Sequence, residues 1–445
     1  MPSNGSISDA SLRDTVEYVL KKGREYGATS AEASVGLGRG FTTSVRMGEV
    51  ETIEHQQDKG LTVTVYVGHQ KGSANTTDFR SEAVEATVKA ACEIAQRAGN
   101  DDCAGLADPA MLATKTLDLD LFHPWEISPE DAVDLALRAE TTAREADQRI
   151  TNSDGASVSV REATRVYGNS TGFIGGYRAS RHSQSCVVIA EDDAGMQRDY
   201  WYSADRVPGQ LDAPEHIGQK AADRAVRRLG AKQLGTVNAP VLYSAEIAGG
   251  LVGHLIGAIS GGNLYRKASF MLDKLGEAVF PDGFEISEDP HRPRAMGSAP
   301  FDAEGVATKP RNIVDDGRLE GYVLSSYSAR KLGMQTTGNA GGVRNVTVKS
   351  GPYDQSELIK SMGRGLVVTE LIGMGVNLVT GDYSRGAAGF WVEDGEVKYP
   401  VHEITIAGNL SDMFKNVVAV GTDIDRRGNL CTGSILIEEM TIAGN

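Results

Sequence analysis

Between Asp9 and Tyr26 the apolar residues Leu12, Val16, Val19 and Leu20 return at helical spacing, after Ser8 as a cap and before Gly27 as a stop, so the pattern predicts a surface-packed helix. The period then changes. Ala31 to Val35, Phe41 to Arg46, Glu49 to His55 and Gly60 to Val67 are short, β-branched or alternating and separated by glycine, which predicts antiparallel strands. Helical spacing resumes from Arg80 to Ala98 and from Pro129 to Asp147, and these helices are expected to cover one face of the sheet. Ala156 to Tyr167 and Phe173 to Ala190 alternate around the turn formers Asn169-Ser170-Thr171-Gly172 and are expected to extend that sheet.

A helix from Pro214 to Leu229 leads into turn formers running from Gly230 to Asn238, ahead of Pro240, where a domain boundary is expected. The second part opens with a helix from Ala245 to Ile259 and then reads as strand and turn: Asn312 to Val314, Leu319 to Leu324, Gly365 to Leu371, Gly389 to Val392, Val397 to Pro400, Glu403 to Ile406 and Ser434 to Ile442. The expected fold class is α+β. An amino-terminal mixed sheet domain, residues 1–235, precedes a strand-rich carboxyl-terminal domain, residues 236–445, with one glycine-striped helix.

Composition narrows the function. With 445 residues and 40% hydrophobic content, the chain can bury a large core. Its net charge of −15, with basic residues scattered rather than gathered in a stripe, makes nucleic acid a poor partner. Cys92, Cys103, Cys186 and Cys431 form no CxxC pair or finger spacing, which suits free thiols in a reducing compartment. The stretch from Met1 to Ser8 has no secretory pattern, and the most apolar run, Ile247 to Ile259, is well short of the roughly 20 residues that cross a bilayer. A soluble, cytoplasmic protein with no membrane partner is expected.

Catalytic signatures are scarce: the chain is read as lacking a nucleophile-elbow serine, a P-loop, and the HExxH and HxxEH metal motifs. The runs Gly36 to Gly40 and Gly338 to Gly342 could cradle an anion, but neither opens a helix after a strand, and tight turns are the expectation. Ala245, Gly249, Gly253, Gly257 and Gly261 recur at i, i+4 on one helix. An interior glycine costs about 1 kcal/mol of helix propensity, and close backbone approach is the simplest offset. Ile247, Leu251, Leu255 and Ile259 supply a buried stripe, so the helix is either a tightly packed core element or one that lies against a partner or cleft. His254 has Ala258 and not histidine at i+4, and is expected to be a hydrogen-bonded structural residue rather than a ligand. His55, His69, His182, His291 and His402 stand far apart. His402 with Glu403 is expected to be a strand-face feature.

Several longer segments carry a family resemblance. Gly261 to Lys267 (GGNLYRK), Ser325 to Gly333 (SSYSARKLG), Thr337 to Gly342 (TGNAGG), Leu366 to Gly375 (LVVTELIGMG) and Gly381 to Leu410 resemble the TldD/PmbA protease family, in its TldE (PmbA) branch. In TldD-type subunits the corresponding helix carries HExxxH, two zinc-binding histidines and a water-activating glutamate, with a cysteine near the carboxyl end as a further ligand. Aligned through Tyr265-Arg266-Lys267, the histidine positions are held here by Gly253 and Ala258, and the glutamate position by His254. Cys431 lies near the expected cysteine and is read as a vestige or a core thiol.

The resemblance implies a metal-free subunit with no catalytic or metal-binding residue of its own. Zinc is expected in a TldD-type partner, and the pair is expected to form a chamber that admits unfolded peptides. Degenerate metal positions are Gly253, His254 and Ala258, and the candidate cleft or interface residues are Gly249, Gly257, Tyr265, Arg266, Lys267 and His402. The family is connected with maturation of a peptide antibiotic, breakdown of an antitoxin and modulation of DNA gyrase, and charge favours protein substrates over DNA. Two other classes stay open: a non-enzymatic peptide-binding module using strand edges, and an independent hydrolase around Asp382, Tyr383, Ser384, Arg385 and His402.

Overall fold

The structure, a computed structural model, describes residues 9–444, so the cap expected at Ser8 and the stretch read from Met1 lie outside the described residues. Helix α1 (Asp9–Glu25) leads into β1 (Ser30–Arg46), β2 (Glu49–Val67) and β3 (Gln70–Thr76), followed by α2 (Ser81–Arg97) and α3 (Pro129–Ala146). Then come β4 (Ile150–Asn169), β5 (Ile174–Asp192), β6 (Gly195–Asp205) and α4 (Pro214–Val226). The six strands make one antiparallel sheet in the order β3-β2-β1-β4-β5-β6. On β1, Ala31, Ala33 and Val35 pack under α1 and α2, and Val45 on the same face packs under α3 and α4. Alternation along the strand thus buries one face beneath helices. The opposite face carries hydroxyl pairs, Thr42 with Ser159, Ser44 with Thr52 and Ser157 with Ser185.

Four short strands were expected where two long ones run, because Gly36, Gly38, Gly40 and Gly60 lie inside β1 and β2 and do not interrupt them. The reading of Gly36 to Gly40 as a tight turn is therefore corrected. At Gly40 a Cβ would stand 1.9 Å from the Val160 carbonyl oxygen, so glycine here allows strands to approach. The run from Gly338 to Gly342 does form turns, with positive φ at Gly338, Gly341 and Gly342. Among the described residues, β2 has no strand on its outer side from Glu49 to Gly60, since β3 pairs only Leu61 to Val67.

The remainder begins with β7 (Val237–Tyr243), α5 (Ala245–Ala258) and α6 (Gly261–Tyr265), so the turn formers before Pro240 already belong in part to a strand. Next are β8 (Ile286–Glu288), β9 (Arg311–Asp315), β10 (Arg318–Leu319), α7 (Ser326–Lys331), β11 (Val346–Val348) and α8 (Gln355–Met362). The chain continues through β12 (Gly365–Ile372), β13 (Asp382–Glu393), β14 (Glu396–Asn409), α9 (Leu410–Lys415), β15 (Val417–Val420), β16 (Leu430–Cys431) and β17 (Ile435–Ala443). A small sheet has the order β10-β9-β8-β11-β16. A larger one runs β14-β13-β12-β7-β17-β15, and β14 also pairs with β17. Those five strands from β14 to β17 close on themselves as a barrel.

Leu319 to Leu324 was expected to be one strand, but only Leu319 is in β10, and Val397 to Pro400 and Glu403 to Ile406 are one strand, β14. The break between them is a bulge: Ala387 pairs Ile404 while Gly389 pairs Val401, and Glu403 has φ of 52°. The short helices α6 to α9 stand in a stretch that was expected to be mostly strand and turn. Among the described residues no helix is long and apolar enough to cross a membrane.

Candidate functional site: the glycine face of α5

Helix α5 starts directly from the barrel. The backbone N–H and Oγ of Ser244 both donate to the Val368 carbonyl, at 3.0 and 2.8 Å, which fixes the helix start to the middle of β12. Its other end is satisfied by side chains: Asn263 Nδ2 donates to the Gly257 carbonyl at 2.8 Å and Ser269 Oγ to that of Ala258 at 2.6 Å. The buried side is Ala245, Ala248, Leu251, Val252, Leu255 and Ala258. Ile247, expected in the buried stripe, is only partly buried, because i, i+4 steps drift around a helix of 3.6 residues per turn.

The glycine side is different. A Cβ at Gly249 would lie 3.4 Å from the Leu430 carbonyl oxygen, one at Gly253 would lie 3.6 Å from Leu430 Cδ1, and one at Gly250 would meet nothing within 4 Å. These are ordinary contacts or open space, so this chain does not itself require glycine there. Gly257 is tighter, with Leu378 Cδ1 at 3.1 Å, and Gly261 is obligatory, with Ser328 Oγ at 2.3 Å. Lacking side chains, this face lies low as a shallow trough along the helix, with Leu430 packed at Gly249 and Gly253 and Leu378 at Gly257.

His254 is half-buried beside this trough, its ring edge-on to Tyr383 with centroids 5.9 Å apart. Among the described residues its ring makes no hydrogen bond, so the expectation of a hydrogen-bonded histidine is corrected: an aromatic contact holds it. Burial, and then the nearby charge of Arg385, push its pKa below the usual imidazole value. Tyr383 is fully buried and interacts with Tyr243, whose hydroxyl reaches Met440 Sδ at 3.4 Å. Arg385 lies two residues along β13 from Tyr383 and so on the same face. Its Nε is buried without a hydrogen-bond partner, and among the described residues no carboxylate pairs with it.

The structure separates other residues that the sequence had grouped. Asp382 and Ser384 alternate with Tyr383 and Arg385, so the two pairs point to opposite faces of β13. Asp382 is exposed and bonded to Thr380 and Asn409. His402 sits on the β14 bulge, where its backbone N–H donates to Lys232, and Glu403 bonds Gln233. The five groups of the hydrolase reading do not converge. Gly168 to Gly172 does spell G-x-S-x-G, contrary to the sequence reading, but Ser170 is in the β4–β5 hairpin and accepts from Ala31 N–H. Tyr265 stacks edge-on against Tyr327, while Arg266 lies over the Tyr265 ring and bonds Asn263. With exposed Lys267 at φ 56°, this motif closes the end of α5 rather than lining the trough.

Cys431 is buried, donates weakly to the Gly428 carbonyl, and has its pKa raised by burial. Its neighbour Leu430 is the residue that reaches α5. Gly253 and Ala258 offer no donor atoms, and among the described residues no three His, Cys, Asp or Glu side chains are grouped to hold a metal ion. The residues at the family's metal positions thus do not fit a zinc ion. Leu378 and Leu430 were missed from sequence. Apolar residues in glycine-rich loops carry no signal there.

Sequence profiles of PmbA/TldA metallopeptidases match three segments: domain 1 over residues 31–95, the central domain over 122–229 and the C-terminal domain over 236–444. The chain is 50% identical over 425 residues to the metalloprotease PmbA of Escherichia coli O157:H7, covering 96% of this chain and 94% of that one. Its fold matches a Bacteroides thetaiotaomicron protein described as a candidate modulator of DNA gyrase, with a TM-score of 0.93, 26% identity, and coverage of 99% of this chain and 100% of that one. TldE of Thermococcus kodakarensis has the same fold, with a TM-score of 0.84, 22% identity, and coverage of 97% and 100%.

Proposed function

This chain belongs to the PmbA/TldA metallopeptidase family, and from that premise we propose that it is the metal-free subunit of a two-subunit metallopeptidase that processes or degrades unfolded peptides and small proteins. A TldD-type partner holds the zinc. The observation that carries the reading is the glycine side of α5: Gly249, Gly250 and Gly253 forgo helix propensity without being crowded by this chain, and Gly253 stands where the resemblance puts one of the active subunit's metal-binding histidines. Room left at a helix surface is filled by another backbone, either the partner's or the substrate's. Protein and not nucleic acid is the substrate class, in keeping with the acidic charge of −15. The pair is cytoplasmic in this reading, which the four free cysteines suit.

The test is to purify the chain alone and with a TldD-type subunit, then assay peptide cleavage and zinc by elemental analysis. Cleavage appears only in the pair, and zinc partitions with the partner. Stoichiometric zinc on the isolated chain, or cleavage by it that survives chelation, overturns the reading. Gly253→Leu adds bulk to the trough and abolishes co-purification or cleavage while the isolated chain keeps its fold.

A second reading has its own observation. The unpaired edge of β2 from Glu49 to Gly60 offers backbone donors and acceptors to an extended segment, as a non-enzymatic peptide-binding module would. Peptide capture by the isolated chain, lost on placing proline within Glu51 to Glu54, favours that module.

A further inference from the structure

Arg385 is the anomaly of this site. Several arginines have evident partners: Arg224 pairs with Asp199 and Glu246, Arg311 with Glu288, Arg427 with Asp425, and Arg206 and Arg330 donate to backbone carbonyls, although Arg311 Nη2 and Arg344 Nε are also buried and unpaired. Arg385 has none of these, although its Nε is sequestered from solvent. Nearby carboxylates are engaged elsewhere, Glu370 by Arg228 and Asp382 by Thr380 and Asn409. Arg385 is only partly buried, but a donor such as its Nε that is sequestered without an acceptor is costly to leave unmade, and an acceptor from outside the chain would complete it.

The surroundings describe what that is. Arg385 shares the β13 face with Tyr383, against which His254 packs, and it acts electrostatically on both rings. Among the described residues neither His254 nor Arg385 has an acceptor. Together they offer the planar donor fork of a guanidinium and one imidazole N–H, a set that matches the two oxygens of a carboxylate. The adjoining glycine face is touched by the apolar side chains of Leu430 and Leu378, which suits a peptide better than a free phosphate.

We propose that Arg385 and His254 form a receptor for a carboxylate carried on a peptide, either its free terminus or an Asp or Glu side chain. The inference rests on reading the α5 face as the side that meets peptide. It assigns this subunit a role in holding peptide substrate without any bond-making step of its own.

The experiment uses the isolated chain with its histidine ring signals followed by NMR. Three probes are titrated: acetyl-trialanine with a free carboxylate, the same peptide as the amide, and acetyl-Ala-Glu-Ala-amide. A terminal receptor moves the His254 signals with the first probe only, a side-chain receptor with the third only, and a general one with both. The trialanine amide leaves them unmoved. Arg385→Gln lowers the affinity at least tenfold, Arg385→Lys lowers it less, and the lysine variant serves if the glutamine variant does not fold. Equal response to the trialanine amide, unchanged affinity in Arg385→Gln, no response to any probe, or inorganic phosphate competing as well as the acid peptide overturns the proposal. The subunit reading is tested separately by zinc content and co-purification, so failure of one leaves the other standing.

Discussion

The ring of His254 meets that of Tyr383 edge-on, 72° between planes, at the position where an active family subunit is expected to carry a water-activating glutamate. Burial and Arg385 hold this imidazole's pKa below its ordinary value. A histidine with a depressed folded-state pKa contributes stability that is present above the unfolded value, about 6.5, and lost as pH falls through it. His254→Phe keeps an aromatic edge and removes the titration. Thermal melts from pH 8 to pH 5 should show the native chain losing stability relative to the variant as the pH falls below about 6.5. Parallel profiles for the two would refute the buried, neutral imidazole.

The glycines of α5 and the one that opens α6 divide into those this chain needs and those it does not. Gly253→Ala should leave the isolated chain unchanged or stabilise it by up to about 1 kcal/mol, because the new methyl meets Leu430 at van der Waals distance and gains helix propensity. Gly261→Ala should cost about 2 kcal/mol or more, since its methyl would stand 2.3 Å from Ser328 Oγ. Chemical denaturation of both variants measures the contrast, and equal losses would mean that the trough is closed in solution.

Asp302 is buried and accepts from the backbone N–H groups of Glu304, Val306 and Ala340, yet desolvation outweighs these bonds and raises its pKa to about 6. An acid whose folded pKa is raised contributes stability fully present below about 3.9 and lost as pH rises through about 6. The melting temperature of the native chain, taken relative to Asp302→Asn, should therefore be higher at pH 5 than at pH 8. The corresponding stability difference between pH 5 and pH 8 should be about 1.4 kcal/mol. A flat difference would place the carboxyl in the ordinary range.

Arg330 on α7 donates to the carbonyls of Cys103, Gly105 and Leu106, pinning an irregular segment from the first half against the second. Arg330→Ala removes three charge-assisted bonds and should cost about 3 kcal/mol. Hydrogen exchange should rise between Asp101 and Leu106, and unchanged protection there would show that Tyr327, bonded to Asp101, suffices alone.

Helices α2 to α4 were legible almost to the residue, because each carries several turns of apolar spacing and two of them start at proline. Strands were harder to bound, since Gly40 signals a break in sequence but serves a close approach to Val160 in the sheet. Helices α6 and α7, with five and six residues, are too short to show a period. At the site, the glycine spacing of α5 could be read directly. The isolation of Arg385 could not, because it depends on where every carboxylate goes after folding.

The barrel is closed by β17, which lies beside β7 along much of its length and also pairs with β14. Roughly 200 residues separate β7 from β17, so at typical synthesis rates of about 5–20 residues per second β7 waits on the order of 10 to 40 s for this neighbour on the ribosome. During that interval the edge carrying Val241, Leu242 and Tyr243 is open, and nascent-chain chaperones have most to guard there. Codon usage that slows translation between Tyr243 and Ile435 would lengthen the exposure, making soluble yield sensitive to elongation speed as well as to folded-state stability.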